Sequence, residues 1–306
     1  MRRLTLALIA AASLAAPAFA QQQGATPPVG PDWSKITVKT TDLGNRTYML
    51  EGQGGNVTVA AGDDGIIMVD GQFAPMHDKL KAAIAAVSPQ PIKFLVNTHH
   101  HGDHTGGNAA FTADGATVVG HVTERELLAK GSISVTSGQP VAAVSGAGLP
   151  ATTYTDTLTL EVKGRSALLR HPANAHTAGD TFVYFADANV LSTGDVIALG
   201  RYPTIDYPSG GGINGMIAAV ETYIALSNDA TKVVPGHGPL SNKARLIEYH
   251  TLLVTARDRM QKLIAEGKSL DEVYAAKPYA DLDATVGGAE GPAKNFIRAV
   301  YASLKG

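Results

Sequence analysis

The sequence contains no cysteine. Disulfides are therefore excluded as a source of stability, and no thiolate is available as nucleophile or metal ligand. Any metal site must be built from His, Asp and Glu, which favours borderline-to-hard divalent cations. Charge is also scarce, at 17% of residues, and the 25 basic residues nearly balance the 27 acidic ones without a long Lys/Arg run. That balance argues against a nucleic-acid partner held through its phosphates. Beyond the N-terminal stretch no apolar run is long enough to span a bilayer. What remains, 44% apolar in 306 residues, is ordinary globular composition for one large or two modest domains.

The chain starts "MRRLTLALIAAASLAAPAFAQQQ": a basic pair, an apolar run, and the small-residue site Ala18-Phe19-Ala20 before Gln21. This reads as a signal peptide over residues 1–20, cleaved after Ala20, and predicts a periplasmic or secreted protein with no membrane attachment after cleavage. Loss of Arg2 and Arg3 would leave 23 basic residues against 27 acidic, a net charge of −4. Residues 21–34 are polar and rich in Pro and Gly, a flexible lead-in, and residues 35–306 form the expected domain, C-terminal helices included.

Short strand-like runs at 36–39, 47–51, 56–61 and 66–69 predict an antiparallel meander. The apolar spacing of Met76, Leu80, Ala83, Ile84 and Val87 predicts a helix over 75–87, followed by the buried-type strand "IKFLV" at 92–96. A strand around Val118 and a helix over 123–130, opened by a Thr123/Glu126 capping box, come next. Residues 131–153 lack periodicity and charge and read either as a surface excursion or as a loop near the site. Further strands are expected at 158–162, 167–170, 181–185, 189–192 and 232–234, with helices over 212–226 and over 241–266, the second capped by Ser241. Strands and helices thus recur in two similar sets, each ending near a histidine, which points to an α/β fold of four αββα layers.

The stretch "NTHHHGDHTGGN", residues 97–108, packs four of the ten histidines into six residues. Strand alternation places His99 and His101 on one side and His100 on the other, and Gly102 lets the chain turn before Asp103 and His104. Two imidazoles from the strand end, with a carboxylate and an imidazole from the turn, can serve two adjacent metal centres. A His-rich tract would instead be a polar tail, whereas this one follows a buried-type strand. Further ligands are offered by His176 in "NAHTAGD", Asp195 in "LSTGDVI" and His237 in "VVPGHGPL", each where a strand gives way to a Gly-containing loop. His77, His121 and His250 read as surface or structural residues, and His171 as either structural or lining the site.

H-x-H-x-D-H at 99–104, His176 before Thr-Ala-Gly, Asp195 after Thr-Gly and His237 between glycines resemble, in this order, the metal motifs of the metallo-β-lactamase fold superfamily. The resemblance runs over about residues 35–255 and implies a four-layer αββα sandwich with two Zn(2+) ions per chain. It implies His99, His101 and His176 on the first ion, Asp103, His104 and His237 on the second, Asp195 bridging both, and Asp70 buttressing the histidine loop. A zinc pair lowers the pKa of a shared water toward neutrality, so that hydroxide forms without a protein nucleophile, and no G-x-S-x-G elbow competes. The second zinc, or a proton from Asp103 or a bound water, then stabilises the leaving group, which makes Asp103 a catalytic candidate as well as a ligand.

The subclass with Cys on the second zinc does not fit a chain that has Asp195 and no Cys. A second β-lactamase subclass commonly has Ser at this position, whereas a bridging Asp is the habit of glyoxalase II, lactonases and phosphodiesterases. The chain departs from lactonases in having Ala198 where they place a Tyr, and from glyoxalase II in its short spacing from His176 to Asp195. The reading is a zinc-dependent hydrolase of a small-molecule substrate, opening β-lactam rings, with thioesterase or lactonase activity, or a non-catalytic periplasmic zinc-binding role, as alternatives. Arg201, Tyr202 and Tyr207, in the loop after Asp195, are candidate substrate contacts or, equally, packing residues of that loop.

Overall fold

A computed structural model describes residues 31–286 and 290–305. The expected signal peptide and most of the lead-in lie outside the described residues. The meander forms as β1 (Lys39–Gly44), β2 (Thr47–Glu51), β3 (Val57–Ala61) and β4 (Ile66–Val69), each antiparallel to the next. The first strand starts where it was expected to end, because Ile36 and Val38 pack as side chains against the outer face of the sheet instead of pairing. A 3-10 turn at Ala74–Met76 accommodates Pro75 and leads into α1 (His77–Ala85). Then follow β5 (Ile92–Val96), α2 (Gly102–Thr105), α3 (Asn108–Ala113), β6 (Thr117–His121) and α4 (Val122–Lys130). The cap of α4 is not the Thr123/Glu126 box: the His121 side chain accepts from Thr123 N at 3.2 Å.

Residues 131–153 hold a small hairpin, β7 (Ser132–Ile133) with β8 (Pro140–Val141), and β9 (Thr152–Tyr154), which closes the first sheet beside β6. Strands of two or three residues carry too few positions to show a period. The first sheet runs β1-β2-β3-β4-β5-β6-β9, parallel from β4 onward. The second comprises β10 (Thr157–Val162), β11 (Arg165–Arg170), β12 (Phe182–Phe185), β13 (Val190–Ser192) and, after α5 (Ile213–Leu226), β14 (Lys232–Val234), parallel to β13. The long helix α6 (Lys243–Ala265) is capped by Asn242, whose side chain accepts from Arg245 N, because Ser241 is held by backbone pairing to Val233. Three helices end the chain: α7 (Leu270–Ala276), α8 (Asp283–Val286) and α9 (Glu290–Lys305).

Strand alternation sorts the apolar side chains into three layers of contact. Ile67, Val69 and Val96 of the first sheet meet Leu169, Val183 and Phe185 of the second. Ile66, Met68 and Leu95 face the other way, onto Leu80, Ile84 and Phe111 of α1 and α3. Leu191 and Val233 pack outward beneath Met216 of α5, Leu253 of α6 and Phe296 of α9. The result is the αββα sandwich. Among the described residues no helix is long and apolar enough to cross a membrane.

One core residue breaks the pattern. Glu124 in α4 is 0% exposed, and neither carboxyl oxygen has a hydrogen-bond partner. Burial, reinforced by nearby Asp70, pushes its carboxyl well above the usual range, so native Glu124 holds its proton to higher pH than the unfolded chain does. A folded-state pKa above the unfolded one gives stability that is complete below the unfolded pKa and lost as pH rises towards the folded one. Glu124→Gln is expected to flatten this decline. Urea unfolding between pH 5 and 8 checks it: wild-type stability falls relative to the variant by up to about 1.4 kcal/mol per pH unit, and parallel profiles would mean that native Glu124 is ionised.

Candidate metal centre

The C-terminal ends of β4, β5, β13 and β14 deliver Asp70, the histidine loop, Asp195 and His237, and cross-links between the sheets hold these ends together. Asn56 N donates to Gly236 O at 2.7 Å, Thr181 N to Thr98 O at 2.7 Å, and the Asn56 amide to Pro235 O and Gly238 O on the loop bearing His237. Two glycines are required by the approach. Gly194 has φ +53° and faces Thr98, and a Cβ on Gly236 would lie 2.0 Å from Asp195 Oδ1.

Of the three groups of ligand-capable side chains among the described residues, His100, His101 and Asp206 form one, and the other two meet at Asp195. In the first of these two, His101 Nδ1 lies 3.0 Å from His99 Nε2 and 3.1 Å from His176 Nε2. In the second, His237 Nε2 lies 3.4 Å from His104 Nε2 and 3.1 Å from Asp103 Oδ2. Asp195 stands between them, with Oδ1 at 3.2 Å from His104 Nε2 and 3.4 Å from His237 Nε2, and Oδ2 at 3.9 Å from His176 Nε2. Ligands of a tetrahedral zinc at bond lengths of 2.0–2.1 Å lie about 3.3 Å apart, so each set fits a zinc-sized ion. Asp195 Oδ1 is buried without a hydrogen-bond partner, as suits an oxygen kept for a cation.

The far side of four imidazoles is committed elsewhere. Thr98 Oγ1 donates to Asp70 Oδ2 at 2.8 Å and so accepts from His99 Nδ1 at 3.0 Å. Asp70, also fixed by Thr98 N, accepts a hydrogen bond from His104 Nδ1 at 2.8 Å. His176 Nδ1 donates to Thr204 O at 2.7 Å, and His101 Nε2 to Asp206 Oδ2 at 2.9 Å. Each bond fixes the orientation of its ring, so that the other nitrogen of each faces the site; for His104 that nitrogen becomes a ligand once a cation displaces its proton. Burial pushes His99 well below the usual imidazole range and His176 down to about 4, so both stay neutral and able to bind metal. Burial also opposes protonation of His104, but Asp70, Asp195 and Asp103 outweigh it and hold that imidazole well above its usual range. For Asp103, burial works against ionisation, yet His104 and His237 bring the carboxyl down to about 2.

His100 is turned away from this pair, as alternation implies. It is buried near Ser209 and Asp206, and burial together with His101 pushes it down to about 3. His171 does not line the site: its ring stacks on His121 at 3.8 Å and its Nδ1 donates to Asp180 O. The centre opens into a cavity of about 470 Å³ bordered by Phe73, Asp103, Val135, Val141, Arg201 and His237. The hairpin β7–β8 thus sits beside the site.

Of the three candidate substrate contacts only Arg201 borders this cavity. Tyr202 is 3% exposed, stacks on Phe296 and spends its hydroxyl on Tyr279 O and Asp283. Tyr207 lies on a separate surface beside Asn174 and Gly210. Tyr202 thus packs the loop onto α9 and borders a neighbouring cavity, whereas Tyr207 is exposed away from the centre.

Sequence reasoning did not single out Thr98, Asp180 or Asp206. Asp180 closes the turn after His176 by accepting from Thr177 N and Thr177 Oγ1. Asp206 also accepts from Ser209 N, an Asx-type turn that "DYPS" could have signalled, although its pairing with His101 could not. Asp206→Ala frees the His101 ring and is expected to weaken zinc binding about 10–100-fold in competition with a chelator. An unchanged competition curve from a folded variant would contradict the role assigned to Asp206.

A sequence model of the metallo-beta-lactamase superfamily matches residues 50–237. The alpha subunit of 2,4-dinitroanisole O-demethylase from Nocardioides sp. is 28% identical over 141 residues, 45% of this chain and 40% of that protein. The chain therefore spans only two fifths of that relative's length. Hydroxyacylglutathione hydrolase of Methylococcus capsulatus is 26% identical over 238 residues, covering 70% of this chain and 83% of the relative. Among solved structures, a metallo-beta-lactamase from Pontibacter korlensis superposes with TM-score 0.59 at 20% identity, covering 71% of this chain and 99% of its own. The DIM-1 metallo-beta-lactamase does so with TM-score 0.59 at 17% identity, covering 72% and 100%. The two structures share the fold, and with more than half of its length matched by the family model the chain belongs to the metallo-beta-lactamase superfamily.

Proposed function

We propose that the protein is an exported dizinc hydrolase of small acyl compounds, with β-lactam ring opening as its first activity. The observation that carries this reading is the convergence of two donor sets on one shared carboxylate, Asp195, with no cysteine in the chain to supply a nucleophile. His99, His101 and His176 would hold one zinc, Asp103, His104 and His237 the other, and Asp195 would contact both. Bound there, the ions supply Lewis acidity and lower the pKa of water toward neutrality.

The chain's own residues do the rest. Asp103 borders the cavity and would relay the proton released by the attacking water to the leaving atom. Arg201 anchors a substrate carboxylate, and Phe73, Val135 and Val141 keep the site's wall apolar. The signal-peptide pattern of residues 1–20 supports a periplasmic setting, where β-lactams are encountered. Thioester hydrolysis is the second reading. It is favoured by the match to hydroxyacylglutathione hydrolase over 83% of that enzyme's length and by an aspartate at position 195.

Residues 21–306, loaded with zinc, are to be assayed on nitrocefin, a lactone, a thioester and bis-p-nitrophenyl phosphate with and without EDTA. Nitrocefin turnover is expected, lost with chelator and restored by zinc, and Asp195→Ser is expected to lower kcat/KM by about 100-fold or more. Turnover indifferent to EDTA would refute the metal-dependent reading, and a thioester preferred over nitrocefin would decide for the second.

A further inference from the structure

Beside the metal cavity lies a second cavity of about 420 Å³, and Val135, Thr136, Arg201 and Thr204 line both. The remaining walls of this second chamber are largely apolar: Pro203 and Ile205 come from the loop after Asp195, Pro292 and Phe296 from α9. Ile205 and Phe296 are each 1% exposed and belong to the packed core of the helical layer, so these walls are preformed. The superfamily match ends at residue 237, so the α9 wall lies outside the matched residues.

The same helix steadies the neighbouring hairpin. Arg298 Nη2 donates to Val135 O, in the turn between β7 and β8, at 3.2 Å and to Asn295 Oδ1 at 3.1 Å. Hairpin, chamber and α9 therefore form one connected structure. At the junction of the two cavities stands Arg201, exposed and without a carboxylate partner among the described residues. An unpaired guanidinium between a metal centre and an apolar chamber suits an anionic group with a hydrophobic extension.

We infer that this chamber takes the apolar arm of an anionic substrate, whose charge Arg201 holds and whose reacting bond lies over the metal centre. The inference rests on the hydrolase reading above and narrows it to compounds with a negative group set between the scissile bond and an aryl or short alkyl arm. Burial of such an arm against Ile205, Pro292 and Phe296 supplies affinity roughly in proportion to its apolar area, whereas a charged or strongly hydrated arm gains nothing there.

Calorimetric titration of the zinc-loaded protein with butyrate and 4-phenylbutyrate tests this, because the two share a carboxylate and differ by a phenyl arm. The phenyl group is expected to tighten binding tenfold or more. Phe296→Trp fills the chamber from its buried wall and Pro292→Trp from its exposed wall, and each is expected to cut that gain below threefold. Arg201→Gln is expected to weaken both ligands alike. No gain from the phenyl group, a gain that survives in folded Pro292→Trp, or unaltered binding in Arg201→Gln would overturn the inference. Turnover of the substrate panel is read separately, so a protein that binds the phenyl arm and hydrolyses nothing would refute the hydrolase reading while leaving the chamber's ligand preference standing.

Discussion

The hydrogen bonds behind the imidazoles are the constraint on which the rest of the structure depends. An unbound histidine can offer a lone pair from either ring nitrogen, and a site built from several of them is defined only when each tautomer is fixed. Here Thr98, Asp70, Asp206 and the Thr204 carbonyl each accept a hydrogen bond from one ring N–H, so that the opposite nitrogens converge. The choice is not uniform around the site. His101 turns its Nδ1 inward because Asp206 claims its Nε2, whereas His99, His104 and His176 turn Nε2 inward. Asp70 carries two duties at once, orienting His104 directly and His99 through Thr98, from a backbone held at φ +64°.

The sandwich exists to bring those partners together. Asp70 closes β4, Thr98 follows β5, Asp195 follows β13 and His237 follows β14, so the two sheets must meet at this edge with little freedom. The apolar interior between Val69, Val96, Val183 and Phe185 sets their separation, and the bonds from Asn56 and Thr181 set their register. The outer helices stabilise the sheets from behind, but α9 reaches further, contributing Phe296 to the core and Arg298 to the hairpin beside the cavity. The surroundings of the cavity thus depend partly on a segment far from the metal motifs.

How much of this was legible in the sequence follows from the range of each interaction. The histidine loop could be read because its donors lie within six residues of one another, after an apolar strand and before glycines that permit the turn. His176, Asp195 and His237 could be placed at strand ends because Gly marks those loops. Asp206 could not, since it meets His101 across 105 residues. Tyr202 and Tyr207 stood equally well for substrate contacts or loop packing, and the partner that decides for Tyr202, Phe296, is on the last helix. The cap of α4 was misplaced because an imidazole does the work usually given to Ser, Thr, Asp or Asn. Residues 131–153 were ambiguous because strands so short owe their existence to neighbouring strands and not to their own periodicity.

The central claim is that this hydrogen-bond framework presents two adjacent metal sites sharing Asp195. Anomalous diffraction from crystals of the zinc-loaded protein, recorded on either side of the zinc edge, tests it most directly. Two zinc peaks are expected, one ligated by His99 Nε2, His101 Nδ1 and His176 Nε2, the other by Asp103, His104 Nε2 and His237, with Asp195 between them. A single peak, or a zinc coordinated by His100 or by the opposite nitrogen of His101, would contradict the account.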